Sequence, residues 1–344
     1  MTRVGIIGYG LAGEVFHAPL VDAVDGLEVA AIVTGDADRQ RRAAAAYPEA
    51  KVVPAADELW PLVELVVVAS SNRSHVPLAM AALDNGLPVV VDKPLAPTRE
   101  EAERLVAAAE ERGVLLTVFQ NRRWDDDFLT VRRLLDSIGL PLRLESRFDR
   151  WQPEPSGGWR ELGDPAEGGG LLLDLGSHLI DQARLLLGPV RRVYAELDRR
   201  RPGAEVDDDT FVALEHAEGG RSHLWMSAVA PLRGPRLRLT GAAGGVETSG
   251  LDPQEDQLAA GQRPGEQGWG LRGAAARVVA GDGERDEPLA PGAYELFYAG
   301  LREALDTGGA PPVDPRDALT VLRVIEAARR SAAERTVIEI KEEA

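Results

Sequence analysis

A short apolar run, Val4 to Ile7, leads directly into Gly8-Tyr9-Gly10-Leu11-Ala12-Gly13, and this junction limits the fold more than any other stretch of the chain. Each glycine answers a steric demand. Gly8 makes the tight turn, Gly10 lets the backbone approach a pyrophosphate, and Gly13 allows a helix to pack closely on a strand. The following helix offers free N–H groups and the positive end of its dipole to phosphates. Glycine-rich strand–helix turns also occur without ligands, so context decides. Here the required strand precedes the motif, and a second strand, Glu28 to Val33, follows at the spacing of a βαβ unit. The implied ligand of Gly8, Tyr9, Gly10, Leu11, Ala12 and Gly13 is a dinucleotide.

The pattern continues. Val63 to Ala69 is apolar except for Glu64, as expected of a strand buried on both faces. His75 to Leu87 reads as a helix and Pro88 to Val91 as a strand. Thr98-Arg99-Glu100-Glu101 matches a capping box opening a helix to about Arg112, and Val114 to Gln120 is the next strand. Alternating strands and helices predict an α/β domain with a doubly wound parallel sheet, of the Rossmann type. Ligands of such sheets sit at the carboxyl ends of the strands. That rule selects Thr34, Gly35 and Asp36 after the second strand, Ser70 and Asn72, Asp92 and Lys93, and Gln120 to Arg123. Lys93, followed by Pro94, is biased toward an extended backbone that can aim its ammonium into a cleft, although a strand-end lysine can equally reach solvent. An NAD site usually places an Asp or Glu after the second strand. Asp36 is the candidate, with Arg39, Arg41 and Arg42 further along, and the choice between NAD and NADP stays open.

After Trp124 the texture changes. Asp125, Asp126 and Asp127 are expected to cap a helix to about Ile138. Strands follow at Leu142 to Phe148, Val190 to Leu197, Thr210 to His216, Arg221 to Ala230, Arg236 to Leu239 and Gly245 to Thr248, separated mostly by turns. Two late helices, 293–306 and 315–333, precede a last strand, Thr336 to Ile340. The stretch Leu251 to Arg272, rich in Gly, Gln and Pro, reads as a long loop. Together these predict an α+β domain with a large open, mostly antiparallel sheet. The expected boundary divides residues 1–122 from 123–344. An exposed sheet face invites association, so a homodimer or homotetramer through this sheet is expected.

Within the second half, Gly168-Gly169-Gly170 leads into a segment that carries Asp174 and His178. Four residues apart, they share one face of a helix starting near Asp174, opposite a stripe of Leu175, Leu179, Ala183 and Leu186. An acid and an imidazole so spaced can transfer protons. The bland alternative is an N-capping Asp174 and a satisfied histidine. His17, His216 and His223 have no nameable partners and read as structural.

With a net charge of −17, the 344-residue chain repels phosphate backbones and anionic membranes, so neither nucleic acid nor membrane is an expected partner. Cysteine is absent, which excludes disulfides, thiolate nucleophiles and sulfur-based zinc sites. No metal is expected. The N-terminus opens straight into a strand, without a signal peptide, and a cytoplasmic location is expected.

Taken together, the glycine turn with Phe16-His17-Ala18-Pro19, the Asp92-Lys93-Pro94 turn and the Asp174-x-Gly-x-His178 segment resemble the Gfo/Idh/MocA family of oxidoreductases over essentially the whole chain. Asn121-Arg122-Arg123-Trp124-Asp125 and Leu251-Asp252-Pro253-Gln254-Glu255 are similar to the branch containing scyllo-inositol dehydrogenases and many sugar oxidoreductases. The resemblance implies an NAD(P)-dependent dehydrogenase acting on a cyclic polyol or sugar. It implies that Lys93, Asp174 and His178 are catalytic, with His178 the general base. It places Ser70, Asn72, His75, Asn121, Arg123, Trp159 and Arg160 near the cofactor. Asp92 replaces the family's usual glutamate, and Gly35-Asp36 replaces the Ser-Arg pair of NADP-dependent inositol dehydrogenases. A glycoside hydrolase that retains NAD and a non-catalytic dinucleotide sensor are the alternatives.

Overall fold

The computed structural model describes residues 1–155, 161, 163, 168–281 and 283–340. Two compact units emerge: Met1–Trp124 with Pro253–Gly270 and Gly292–Leu319, and Asp125–Asp252 with Leu271–Pro291 and Thr320–Ala344.

The first unit is built on a six-stranded sheet in the order β3-β2-β1-β4-β5-β6, formed by β1 (Thr2–Ile7), β2 (Leu27–Val33), β3 (Lys51–Val53), β4 (Leu65–Val68), β5 (Val89–Asp92) and β6 (Leu116–Phe119). Every adjacent pair is parallel. Four consecutive fully buried residues, Leu65 to Val68, show why β4 reads as an unbroken apolar run: helices cover both faces. The connecting helices are α1 (Ala18–Asp22), α2 (Ala37–Ala46), α3 (Asn72–Asp84) and α4 (Arg99–Arg112). Thr98 caps α4 as expected, its Oγ1 accepting the Glu101 N–H at 3.3 Å and lying 3.1 Å from the Glu101 carboxylate. Gly113, at φ 63°, ends that helix in a left-handed turn. The chain winds outward from β1 to β3, then returns to start β4 beside β1. The crevice at the carboxyl ends of β1 and β4 is therefore the switch point where ligands of such sheets bind.

The segment 251–272 is not the featureless loop its composition suggests, since Gln254–Ala259 is helical. Its leading side chain fixes it at two points. Gln254 Nε2 donates to the Trp124 carbonyl at 3.1 Å, and Gln254 Oε1 accepts the Tyr294 N–H at 2.7 Å. A helix this short is held by such anchors, so no periodic pattern announces it.

The second unit carries a nine-stranded sheet in the order β14-β13-β12-β11-β7-β10-β9-β8-β15. Its strands are β7 (Pro141–Asp149), β8 (Val190–Asp198), β9 (Asp209–His216), β10 (Arg221–Ser227), β11 (Leu237–Gly241), β12 (Gly245–Thr248), β13 (Ala275–Ala280), β14 (Gly283–Pro288) and β15 (Ile338–Glu339). Among the described residues, only the β7–β10 pairing of this sheet is parallel. β13 and β14 go beyond the sequence reading. β14, Gly-Glu-Arg-Asp-Glu-Pro, is an edge strand whose charges discourage pairing with another chain, and this polarity hides it from a hydrophobic pattern. Helix α5 (Asp126–Ile138) packs on β11 to β13 and helix α6 (Gly176–Leu187) on β7 and β10, covering one face.

Asp125 occupies the N-cap position of α5 but its side chain makes no capping bond, and Asp126 and Asp127 lie in the helix's first turn. The cap comes from Asp252, whose Oδ2 accepts the Asp126 N–H at 2.7 Å. The aspartates instead hold arginines. Asp126 pairs with Arg272, while Asp127 and Asp125 face Arg236 at 3.3 and 3.9 Å. Arg236 is 3% exposed, donates to Ser146 Oγ and Gln182 Oε1, and stacks on Phe148 at 4.3 Å. One guanidinium thus joins α5, β7 and α6. Removing it leaves two buried carboxylates without their cation, so Arg236→Ala is expected to cost about 3–5 kcal/mol, read by urea denaturation.

Candidate active site

The glycine turn has the shape a dinucleotide requires. A Cβ at Gly8, whose φ is 100°, would fall 2.5 Å from the Ala69 carbonyl oxygen, and one at Gly13 would fall 2.0 Å from that of Gly8. Both positions are glycine for reasons internal to the fold. Gly10 differs: the nearest atom to a Cβ there is Arg39 Nη1 at 3.8 Å. Its backbone is open on the side where a pyrophosphate would approach, so the residues fit the group. The chain leaves the turn through Ala12–His17, wound as a π-helix, with the Ala18 N–H bonding back to the Gly13 carbonyl before α1 continues. Single π turns inside helices are frequent at functional sites. Tyr9 and His17 both point into the unit's interior.

After β2, Thr34 is buried and Asp36 caps α2, its Oδ1 accepting the Arg39 N–H at 2.9 Å. Of the arginines that follow, Arg41 pairs with Asp38, and Arg42 holds both oxygens of Glu14 at 2.7 and 2.9 Å. Arg39 lies against Gly10.

Ser70, Asn72, His75, Asp92, Lys93 and Asn121 gather at the carboxyl ends of β4, β5 and β6, as expected. Asp92 Oδ1 accepts the Lys93 backbone N–H at 2.9 Å. His75 is fully buried between two carbonyls, Nδ1 at 2.8 Å from that of Pro94 and Nε2 at 3.3 Å from that of Ser70. Burial lowers its proton affinity, which favours a neutral ring donating from Nδ1 over the shorter contact. His75 therefore ties the Asp92-Lys93-Pro94 turn to the end of β4. Arg123 is committed to an ion pair with Asp317 at 2.8 Å and Arg122 to one with Glu255 at 3.1 Å.

His17 was legible only as a structural histidine, yet it faces this turn. Its Nδ1 lies 2.6 Å from Tyr298 Oη and its Nε2 lies 3.7 Å from Asp92 Oδ1, the latter too long for a hydrogen bond. Burial opposes ionisation of Asp92, but His17, Lys93 and His75 outweigh it and hold the carboxyl below its ordinary range. Its sequence signal is its place in the Phe16-His17-Ala18-Pro19 segment that follows the glycine motif.

In the second unit, the helix expected to begin near Asp174 is broken. A short turn, Leu171–Asp174, ends at Asp174, and α6 begins at Gly176. Asp174 is therefore not the N-cap, and it does not share one continuous helix with His178. Nor is α6 amphipathic in the expected sense. His178, Asp181 and Gln182 are as buried as Leu179 and Ala183. The turn is pinned from below by Asp207, whose Oδ2 accepts the Leu172 N–H at 2.7 Å and the Thr210 hydroxyl at 2.9 Å. Gly170, at φ 93°, admits this carboxylate, since a Cβ there would fall 2.0 Å from Asp207 Oδ1. Trp159 and Arg160 lie outside the described residues. Among the described residues, no cluster of three or more His, Cys, Asp or Glu is placed to hold a metal ion, and no helix is long and apolar enough to cross a membrane.

Comparison with known proteins decides the family. Residues 2–120 match the oxidoreductase family's NAD-binding Rossmann fold, and residues 132–340 match its C-terminal alpha/beta domain. The chain belongs to the Gfo/Idh/MocA oxidoreductase family. It is 36% identical to scyllo-inositol 2-dehydrogenase (NADP(+)) IolW of Bacillus subtilis, with 98% of this chain and 95% of the relative aligned. D-apiose dehydrogenase of Paraburkholderia graminis is 29% identical over 92% of this chain and 84% of its own length. The structure of yvaA from Bacillus subtilis superposes with a TM-score of 0.93 at 34% identity, covering 99% and 98% of the two chains. Like its Gfo/Idh/MocA relatives, the protein is an NAD(P)-dependent oxidoreductase acting on CH–OH groups. When bound, a nicotinamide would supply the hydride acceptor or donor, leaving orientation and proton handling to the protein.

The Asp207 anchor gives a pH signature. Burial raises its carboxyl above the ordinary range, against the pull of its two donors, so the folded state binds that proton more tightly than the unfolded chain does. Its contribution is complete below the ordinary carboxylate value of about 4 and declines as pH rises to the raised one. Asp207→Asn keeps an accepting oxygen and is expected to flatten that decline in melting temperature against pH.

Proposed function

We propose that the protein is a dehydrogenase of a neutral cyclic polyol or sugar, with Lys93, Asp174 and His178 carrying its proton chemistry. The observation that carries this reading is the placement of Lys93. It follows directly on β5, which is adjacent to β4 and two strands from β1 and its glycine turn, and the residues on either side are held, Asp92 by accepting the Lys93 N–H and Pro94 by His75. A lysine so fixed at the ligand-binding end of the sheet is suited to hydrogen-bond a reacting oxygen and to stabilise alkoxide charge. His178 takes the hydroxyl proton as general base, and Asp174 binds a neighbouring hydroxyl or orients the other two. The substrate class is supported by the scyllo-inositol and D-apiose dehydrogenases among the relatives. A net charge of −17 also disfavours polyanionic substrates.

Appearance of reduced nicotinamide absorbance across a panel of inositols and aldoses, with each cofactor in turn, tests this directly. Lys93→Ala and His178→Ala are expected to lower kcat about 10²- to 10⁴-fold. Full turnover by both would sink the assignment. Cofactor retained with no net reduction would point to a glycoside hydrolase using NAD transiently.

NAD is the proposed cofactor. Asp36, the first acidic residue after β2 and the N-cap of α2, supports this choice, and Arg41 and Arg42 are paired with acids. Asp36→Arg is expected to raise kcat/KM with NADP relative to NAD. Equal use of both cofactors by the parent enzyme would refute the choice.

The open face of the nine-stranded sheet is the proposed self-association surface. It presents Phe211, His223 and Trp225, with Arg147 stacked 3.9 Å over the Trp225 ring. Light scattering is expected to report a homo-oligomer that Trp225→Glu dissociates.

A further inference from the structure

His17 and Tyr298 stand behind Lys93, and the proposed mechanism uses neither. Both are fully buried. Tyr298, on the helix Glu295–Thr307, meets His17 Nδ1 at 2.6 Å, and His17 Nε2 lies 3.7 Å from Asp92 Oδ1. That same Asp92 oxygen holds the Lys93 backbone. The ring of Phe119 lies 4.5 Å from the imidazole and that of Tyr298 lies 5.9 Å from Phe119, so the line of polar groups is sheathed in aromatics.

The donors and acceptors in this line are constrained. An ionised carboxylate only accepts, so the nitrogen facing Asp92 is the one that carries hydrogen. Nδ1 then faces a hydroxyl, which donates to a neutral ring and accepts from a protonated one. Burial and the charge of Asp92 push the Tyr298 phenol well above its ordinary range, so the hydroxyl keeps its proton. The titratable groups facing Asp92 within this unit are His17, His75 and Lys93, with Tyr298 one step behind. His75 is occupied by the Pro94 and Ser70 carbonyls, which leaves His17 as the side chain presented to the carboxylate from the opposite element.

We propose that His17 and Tyr298 are positioning residues that fix the Asp92 carboxylate and, through the bond it accepts from the Lys93 backbone N–H, the placement of Lys93. The inference rests on the catalytic reading of Lys93. It assigns the Phe16-His17-Ala18-Pro19 segment a part in the reaction: the π turn swings His17 inward to reach Asp92.

Two measurements on the full chain with NAD bound test it. The chain has five histidines, so nitrogen-15 imidazole spectra can resolve His17. An Nε2–H state is expected in the parent protein, with mixed tautomers in Tyr298→Phe. With scyllo-inositol as the probe substrate, Tyr298→Phe is expected to lower kcat about 3- to 10-fold, the size of one lost hydrogen bond, with KM and NAD affinity unchanged. An Nδ1–H tautomer in the parent, or spectra and kcat that Tyr298→Phe leaves unchanged, would overturn the proposal. Full turnover by Lys93→Ala would instead bring down the reading beneath it, and it is seen in a different variant.

Discussion

One approach of backbone to backbone governs the first unit. The Gly8 carbonyl oxygen sits where a side chain at position 13 would begin, so strand and helix meet at a distance only glycine permits at that position. Gly8 in turn abuts the Ala69 carbonyl at the end of β4, which locks the turn to the neighbouring strand. From that fixed start the helix can leave in only one direction. Its first full turn is wound wide, and His17 faces inward. The open backbone at Gly10 and the buried imidazole are two products of the same junction.

How much of this was legible depended on the kind of force involved. The parallel sheet was plain because its strands are buried on both faces and must be apolar, as Leu65 to Val68 illustrate. The cap at Thr98 was plain because it is local. The break at Leu175 was not. Asp207, more than thirty residues away in the chain, caps the turn before it, and no spacing rule contains that contact. β14 was missed because its charges are an edge strand's defence, and Gln254–Ala259 because side-chain anchors do the work of periodicity. The same blindness applies to His17, whose partner Tyr298 is 281 residues distant. Composition and motif found the positions that bear chemistry, and contacts distant in sequence decided how those positions are held.

The two units treat buried carboxylates differently. Asp92 is surrounded by His17, His75 and Lys93, and their contacts outweigh desolvation, so it sits below its ordinary range. Asp207 is served by a backbone N–H and a hydroxyl, and burial prevails, so it sits above it. The contrast follows the company each acid keeps. Arg236 shows a third arrangement, in which a single guanidinium answers several elements at once and the core of the second unit is organised by charge as much as by apolar contact.

The order of the chain has a consequence for its synthesis. Phe297 and Tyr298, which line the space around Phe119 and His17, lie in a segment that follows most of the second unit. A ribosome releases the six strands of the first sheet early, but without the aromatic wall behind Asp92. Until the helix Glu295–Thr307 emerges, His17 and Phe119 lack their native cover. The nascent nucleotide-binding unit must therefore wait, partly unfinished, while its neighbour is made, and a chain truncated before that helix would lose the first unit's interior along with its own end.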